Sequence, residues 1–271
     1  MEKQKTGGKR KYPLNELYFD NIDTEEKAYF LGFLYADGYN FTKRTRVLLG
    51  LQARDKEILE KLSSFLQPTK PLQFSTKEYD RKKGRNSQDQ YVLVINSRHI
   101  SERLVELGCV YKKSLILKFP TEDQVPNYLL RHFVRGYFDG DGCVEKKGAS
   151  LMGTLDFCKS LANIIKDKFN VNFYIRTKGK NNAAEACLKS KAARTFLKWI
   201  YDDSTIYLQR KYAKFLIQME YEETLKTKKF KYFECCVVNC DNKHRSSSYC
   251  QYHYDQVRKN NKVFPKKSNF V

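Results

Sequence analysis

The chain of 271 residues is short of acid and lacks long apolar runs. Asp plus Glu number 31 against 51 Lys plus Arg, a net charge of +20. That deficit argues against an acidic solvating protein and favours a polyanionic partner. A membrane surface would also accept the charge. However, no run approaches the length of a spanning helix, and no basic amphipathic helix dominates. Residues 1–11 are polar and basic, without the apolar core of a secretory signal. The expected location is therefore a reducing cytoplasm, or the compartment of a host element, and not the secreted space. There the eight Cys are thiols or metal ligands rather than a disulfide framework. The length suffices for one large core or two small ones.

One short stretch occurs twice. The first copy is Phe30-Leu31-Gly32-Phe33-Leu34-Tyr35-Ala36-Asp37-Gly38, and the second is Val134-Arg135-Gly136-Tyr137-Phe138-Asp139-Gly140-Asp141-Gly142. Each is an apolar helical segment with Gly at its third position and Asp-Gly at its end. Asp37 and Asp141 lie 104 positions apart, the length of a small domain. Gly32 and Gly136 allow two backbones to approach closely. If the stretches pack side by side, Asp37 and Asp141 meet at their ends. Two carboxylates there would repel unless a cation sat between them. Hard oxygen ligands suit Mg²⁺, which is held by one or two carboxylates plus substrate phosphates. Either copy alone reads equally as a core helix with a Gly C-cap; two matched copies at domain spacing favour the paired site.

These residues resemble the LAGLIDADG homing endonucleases in the form with both motifs on one chain. The match is Gly at position three, an acid at position eight and Gly at position nine of residues 30–38 and 134–142. Tyr35 departs from the family's acid at position six. The resemblance covers roughly residues 18–215. It implies two pseudo-symmetric αββαββα repeats, an α+β fold whose two curved antiparallel sheets form a saddle over double-stranded DNA. It also implies a monomer that cuts both strands with Mg²⁺ or Mn²⁺ held by Asp37 and Asp141 and by the backbone carbonyls of Ala36 and Gly140. The family places one Lys per half after the third helix; here these are Lys113 and Lys211.

Along the chain, the Asp23/Glu26 spacing reads as a capping box that starts a helix near Thr24. Residues 46–54 read as a strand. Asp55 reads as the cap of a helix with Ile58, Leu59, Leu62, Phe65 and Leu66 on its apolar face. Residues 72–77 read as a half-buried strand, 80–89 as a basic loop, 90–96 as a strand and 98–107 as a helix. The second half repeats this order: a helix after Pro126, strands at 149–153, 173–180 and 184–188, and helices over 155–169 and 191–201. The resulting domains are a basic arm (1–17), two repeats (18–118 and 119–225) and a C-terminal module (226–271). On the strands, Gln73, Ser75, Lys77 and Tyr79 share one side, as do Tyr174, Arg176, Lys178 and Lys180. Such side chains read either as an ordinary solvated face or as readers of base edges in a major groove. Lys82, Lys83 and Arg85 suit phosphates.

A helix is expected over residues 211–225 and a basic linker over 226–231. Cys236 and Cys240 then bracket three residues, and Cys250 and His253 bracket two, a pattern that suits tetrahedral structural zinc. Cys235 competes with Cys236 in this set, and His244 with His253. The module is too short to fold on an apolar core, so the metal would supply its folding energy. It resembles small Cys₃His fingers attached to endonucleases of phages and other mobile elements. Cys109, Cys143, Cys158 and Cys187 read as small buried residues. The tail after Asp255 is basic without an acid and would follow DNA phosphates.

A non-cleaving nucleic-acid binder on the same fold, such as a splicing maturase or a regulator, is the alternative function; retention of both position-eight acids favours the enzyme. Aspartic proteases require Asp-Thr/Ser-Gly, which Asp37-Gly38-Tyr39 and Asp141-Gly142-Cys143 lack. No splice-junction residues are seen, so an intein is not expected.

Overall fold

The computed structural model describes residues 12–66, 71–75, 79–80, 85–86, 89–177, 182–231, 235, 237, 240, 242 and 249–260. Met1–Phe215 and Leu216–Val271 form two compact units. In the first unit the elements run α1 (Glu25–Asp37), β1 (Gly38–Phe41), β2 (Arg46–Gln52), α2 (Lys56–Leu66), β3 (Gln73–Ser75), β4 (Tyr79–Asp80), β5 (Arg85–Asn86), β6 (Gln90–Asn96) and α3 (Arg98–Glu106). They continue as α4 (Leu130–Asp141), β7 (Gly142–Glu145), β8 (Gly148–Thr154), α5 (Leu155–Phe169), β9 (Tyr174–Thr177), β10 (Ala183–Lys189) and α6 (Ser190–Tyr201). Two more helices follow, α7 (Gln209–Lys231) and α8 (Gln251–Asn260). Among the described residues, no helix is long and apolar enough to cross a membrane.

The fold is α+β with two four-stranded antiparallel sheets, ordered β1-β2-β6-β3 and β7-β8-β10-β9. β4 and β5 pair separately within the stretch expected to be a loop. Side-chain alternation gives each sheet a core face. Val47, Leu49, Leu51, Leu93 and Ile95 are buried in the first sheet, and Val144, Ala149, Leu151, Ala184, Ala186 and Leu188 in the second. The opposite face of the first sheet carries Tyr39, Leu48 and Val92 among Arg46, Gln52, Gln90 and Gln73, so it is less charged than the sequence suggested.

Local chemistry corrects several expectations. Thr24, not Asp23, caps α1: its Oγ1 accepts from Lys27 N at 3.3 Å, while Asp23 pairs with the Lys27 ammonium at 2.8 Å. Asp55 does not cap α2. It closes a 3₁₀ turn, Ala53–Asp55, and its carboxylate accepts from Arg210. β3 is exposed along its whole length, Phe74 included, because it is a short edge strand. The strands that follow the position-eight acids, β1 and β7, were not assigned from sequence pattern. The 226–231 stretch is helical, as the end of α7, rather than a linker; its lysines are good helix formers.

α1 and α4 cross at their glycines. A Cβ on Gly32 would stand 2.0 Å from the Phe133 carbonyl oxygen, and one on Gly136 would stand 1.9 Å from that of Tyr29. Both pairs obey the same 104-residue shift, so the crossing lies on an internal pseudo-two-fold axis. Neither backbone can yield without separating the helices. Gly32→Ala or Gly136→Ala should therefore cost about 3 kcal/mol in urea unfolding. Gly50→Ala, whose new Cβ would meet nothing closer than 3.5 Å, should cost far less. Equal stability in all three variants would refute the close crossing.

Candidate functional site

The crossing sets where the two acids lie. α1 ends on Asp37 and α4 on Asp141, each followed by a Gly whose N–H bonds back into the last turn, Gly38 to Leu34 and Gly142 to Phe138. A Cβ on Gly140 would lie 2.3 Å from Ala36 Cβ and 3.2 Å from Asp37 Oδ2. The absent side chain thus leaves room beside the Asp37 carboxylate. Asp37 and Asp141 are open to solvent, yet the surrounding protein displaces enough water to raise both carboxyl pKa values. Asp141 is pushed up to about 6, by desolvation first and the Asp37 charge second. Lys113 and Lys211 oppose the shift at both acids. Two oxygen-donor acids that repel one another across open space fit a hard divalent cation.

Both lysines chosen from sequence are buried and face backbone carbonyls of the motif helices. Lys113 lies in a 3₁₀ turn, and its ammonium donates to the Gly38 carbonyl. Lys211 lies in the first turn of α7 and donates to the carbonyls of Phe138 at 2.7 Å and Gly140 at 3.0 Å. Burial lowers the Lys211 pKa to about 8, against the charges of Asp139, Asp37 and Asp141. The Gly140 carbonyl, expected as a metal ligand, thus already accepts one hydrogen bond; its second lone pair leaves coordination open. No contact distinguishes Ala36 beyond its place beside Gly140.

Other site residues were not legible as such. Asp139, at position six, is fully buried and accepts from Tyr29 Oη at 2.8 Å, Tyr201 Oη at 2.5 Å and Leu208 N at 2.7 Å. Its counterpart Tyr35 donates instead to the Leu107 carbonyl. In each half, position six thus ties the motif helix to the end of the third helix, just ahead of the Lys. Arg135, also fully buried, donates to the carbonyls of Ile206 and Ile200, both at 2.8 Å, and to Glu25 Oε1 at 2.5 Å. Although burial opposes it, the nearby His132 ring, a bond from Thr205 N and the Arg135 charge hold the Glu25 pKa down at about 2. Gln52 ends β2 with a buried Oε1 that has no partner among the described residues. Period-2 and period-3.6 patterns mark such residues only as interior, so no sequence signal separates them from core.

Of the expected DNA-facing residues, Gln73, Tyr174 and Arg176 lie exposed on the open sheet faces. Arg176 is paired with Glu185 at 3.0 Å. Lys77, Lys82, Lys83, Lys178 and Lys180 lie outside the described residues, and Arg85 is described only as backbone in β5.

In the second unit, Cys235, Cys240, Cys250 and His253 bring their ligand atoms within 4.8 Å of one another, and all four are buried. The Cys240 and Cys250 sulfurs are 3.8 Å apart. That is the edge of a tetrahedron with metal–sulfur bonds of ~2.3 Å, so the cluster fits a tetrahedral ion of zinc's size. His253 Nδ1 faces the Cys235 sulfur at 3.1 Å and the Cys250 sulfur at 3.4 Å. The cluster contains Cys235, the residue that competed with Cys236 for this set, and its N–H bonds to the Asn242 carbonyl at 3.0 Å. Cys236 and His244 lie outside the described residues.

Residues 129–201 match the family described as LAGLIDADG-like domain. The structure is similar to that of the homing endonuclease I-WcaI bound to its DNA recognition sequence. The TM-score is 0.50 and the identity 14%, over 72% of this chain and 89% of that one. The fold is the single-chain LAGLIDADG homing-endonuclease fold. Matches also include the meganuclease I-SmaMI bound to uncleaveable DNA, at TM-score 0.49 and 10% identity, covering 74% of this chain and 91% of that one. Full-length DUF199/WhiA from Thermatoga maritima matches at TM-score 0.44 and 19% identity, covering 80% of this chain and 70% of that one. No curated protein matches the chain. In LAGLIDADG terms, the matched family segment contains the second motif and Asp141 but ends before Lys211.

The Asp141 shift has a sign that can be tested. Folded protein holds this proton more tightly than an unfolded Asp, which titrates near ~3.9. Stability of the metal-free protein should therefore fall as pH rises from about 4 to about 6, a change muted because the site is open to water. Carboxyl NMR titration should show the Asp141 pKa drop in Asp37→Asn, since one repelling charge is gone. An unchanged Asp141 titration would mean that the acids do not share a site.

Proposed function

We propose that the protein is a site-specific double-strand DNA endonuclease that works as a pseudo-symmetric monomer and hydrolyses one phosphodiester per strand. The observation that carries this reading is the meeting of two motif acids at a glycine crossing, each half with its own buried Lys. Mg²⁺ or Mn²⁺ would be held by Asp37 and Asp141, with the carbonyls of Ala36 and Gly140 as further oxygen donors. Such a cation activates water and neutralises charge on the leaving oxygen. Lys113 and Lys211 supply positive charge beside the scissile phosphates and order the attacking waters. Asp139, Tyr35 and the Glu25–Arg135 pair fix the segments that carry the lysines. The open sheet faces would take the DNA, with Gln73, Tyr174 and Arg176 towards base edges and the net charge of +20 serving the phosphates.

On a target selected from a random DNA library, Asp37→Asn and Asp141→Asn should each abolish cleavage and keep an electrophoretic shift. Full cleavage by either variant would remove the acids from the active site. Binding without any cleavage by the wild-type protein would support the non-cleaving binder instead.

The Cys₃His cluster would hold one structural zinc. Cys235→Ser and Cys250→Ser should each lower the zinc content of purified protein, and Cys236→Ser should leave it near one per chain. Zinc lost from Cys236→Ser but kept by Cys235→Ser would reverse the ligand assignment.

A further inference from the structure

The two halves differ in how the cation before the buried lysine is held. Arg210 stands beside Lys211 in the first turn of α7, where no acidic residue is present. A helix N-terminus disfavours positive charge, so two adjacent cations there need a compensating acid. The acid comes from the other repeat. Asp55, only 7% exposed, accepts from Arg210 Nε at 3.1 Å through Oδ1 and 3.0 Å through Oδ2. Nη1 and Nη2 of Arg210 make no hydrogen bond to another described residue, and the side chain is 39% exposed. The guanidinium is therefore anchored by one edge, with its remaining donors available to an anion.

The bond to Asp55 draws Arg210 across to the first repeat, the one that carries Asp37. The residue before the first-half lysine, Lys112, offers no equivalent: it is exposed, has left-handed backbone at φ 53° and lies 5.4 Å over the Tyr111 ring. The guanidinium held by Asp55 thus has no counterpart held across the seam in the opposite direction among the described residues.

We propose that Arg210 binds the scissile phosphate of the DNA strand cut on the Asp37 side, and that Asp55 is the positioning residue that holds its guanidinium there across the seam between the repeats. The inference rests on the endonuclease reading and makes the two strand cuts unequal in their dependence on this residue. A guanidinium offers two parallel donors to phosphate, which a Lys cannot reproduce.

The test is single-turnover cleavage of a supercoiled plasmid that carries the selected target, with each strand followed separately. Wild-type protein should yield linear DNA. Arg210→Gln should slow one strand by about 10²-fold and the other by less than about threefold, so nicked circles accumulate. Arg210→Lys should be intermediate. Asp55→Asn should slow the same strand, and Asp55→Glu should restore it, which a merely structural role would not produce. Wild-type protein that leaves the plasmid uncut would overturn the endonuclease reading. Wild-type cleavage combined with an Arg210→Gln variant that cuts both strands normally, or slows both equally, would overturn the Arg210 assignment alone.

Discussion

Contact between the backbones of α1 and α4 is the constraint on which the rest of the first unit depends. With Gly32 against the Phe133 carbonyl and Gly136 against that of Tyr29, no side chain separates the helices at the crossing. Their C-terminal ends are then forced together, and the two acids with them. Desolvation raises both carboxyl pKa values, and the Asp37 charge raises that of Asp141 further, which disfavours the doubly ionised pair. The close crossing and the strained charge pair are two aspects of one geometry. Helix packing drives the acids together, and a cation or a bound phosphate with its counter-ions would relieve the repulsion.

Around that axis, equivalent tasks are done with different chemistry. Position six anchors the end of the third helix through Tyr35 in one repeat and through Asp139 with Tyr201 in the other. The neutral phenol requires one acceptor, whereas the buried carboxylate requires three donors and has them. The Glu25–Arg135 and Asp55–Arg210 pairs each join one repeat to the other, and neither has a counterpart under the 104-residue shift. The fold is symmetric in its backbone and asymmetric in its polar interior. Such an arrangement suits a ligand whose two halves differ.

The second unit is held by different physics. Among the described residues its buried cluster consists of Cys235, Cys240 and Cys250 with Val237 and Tyr249 packed against them. The same three sulfurs and the His253 ring lie within 4.8 Å of one another, so a bound ion would add its ligand bonds to this small apolar contact.

Much was determined by the sequence alone. The twin motifs, their spacing, the two acids, the α+β class and the Cys/His brackets are set by local pattern and composition, which survive without any knowledge of packing. Lys113 and Lys211 were named through the family resemblance, and the structure places both buried against the motif helices. Tertiary structure decided the rest. Cys235 and Cys236 are adjacent in sequence and chemically identical; that the Cys235 sulfur lies in the cluster, 3.1 Å from His253 Nδ1, is seen only in the folded chain. Asp55 has the residue type and position of a helix cap, yet the partner its carboxylate takes is a guanidinium 155 residues away in sequence, which no local pattern records. Asp139 and Arg135 lie on helices that the pattern located, but their partners come from distant segments. Sequence periodicity records which face of an element is buried. It does not record what that face meets.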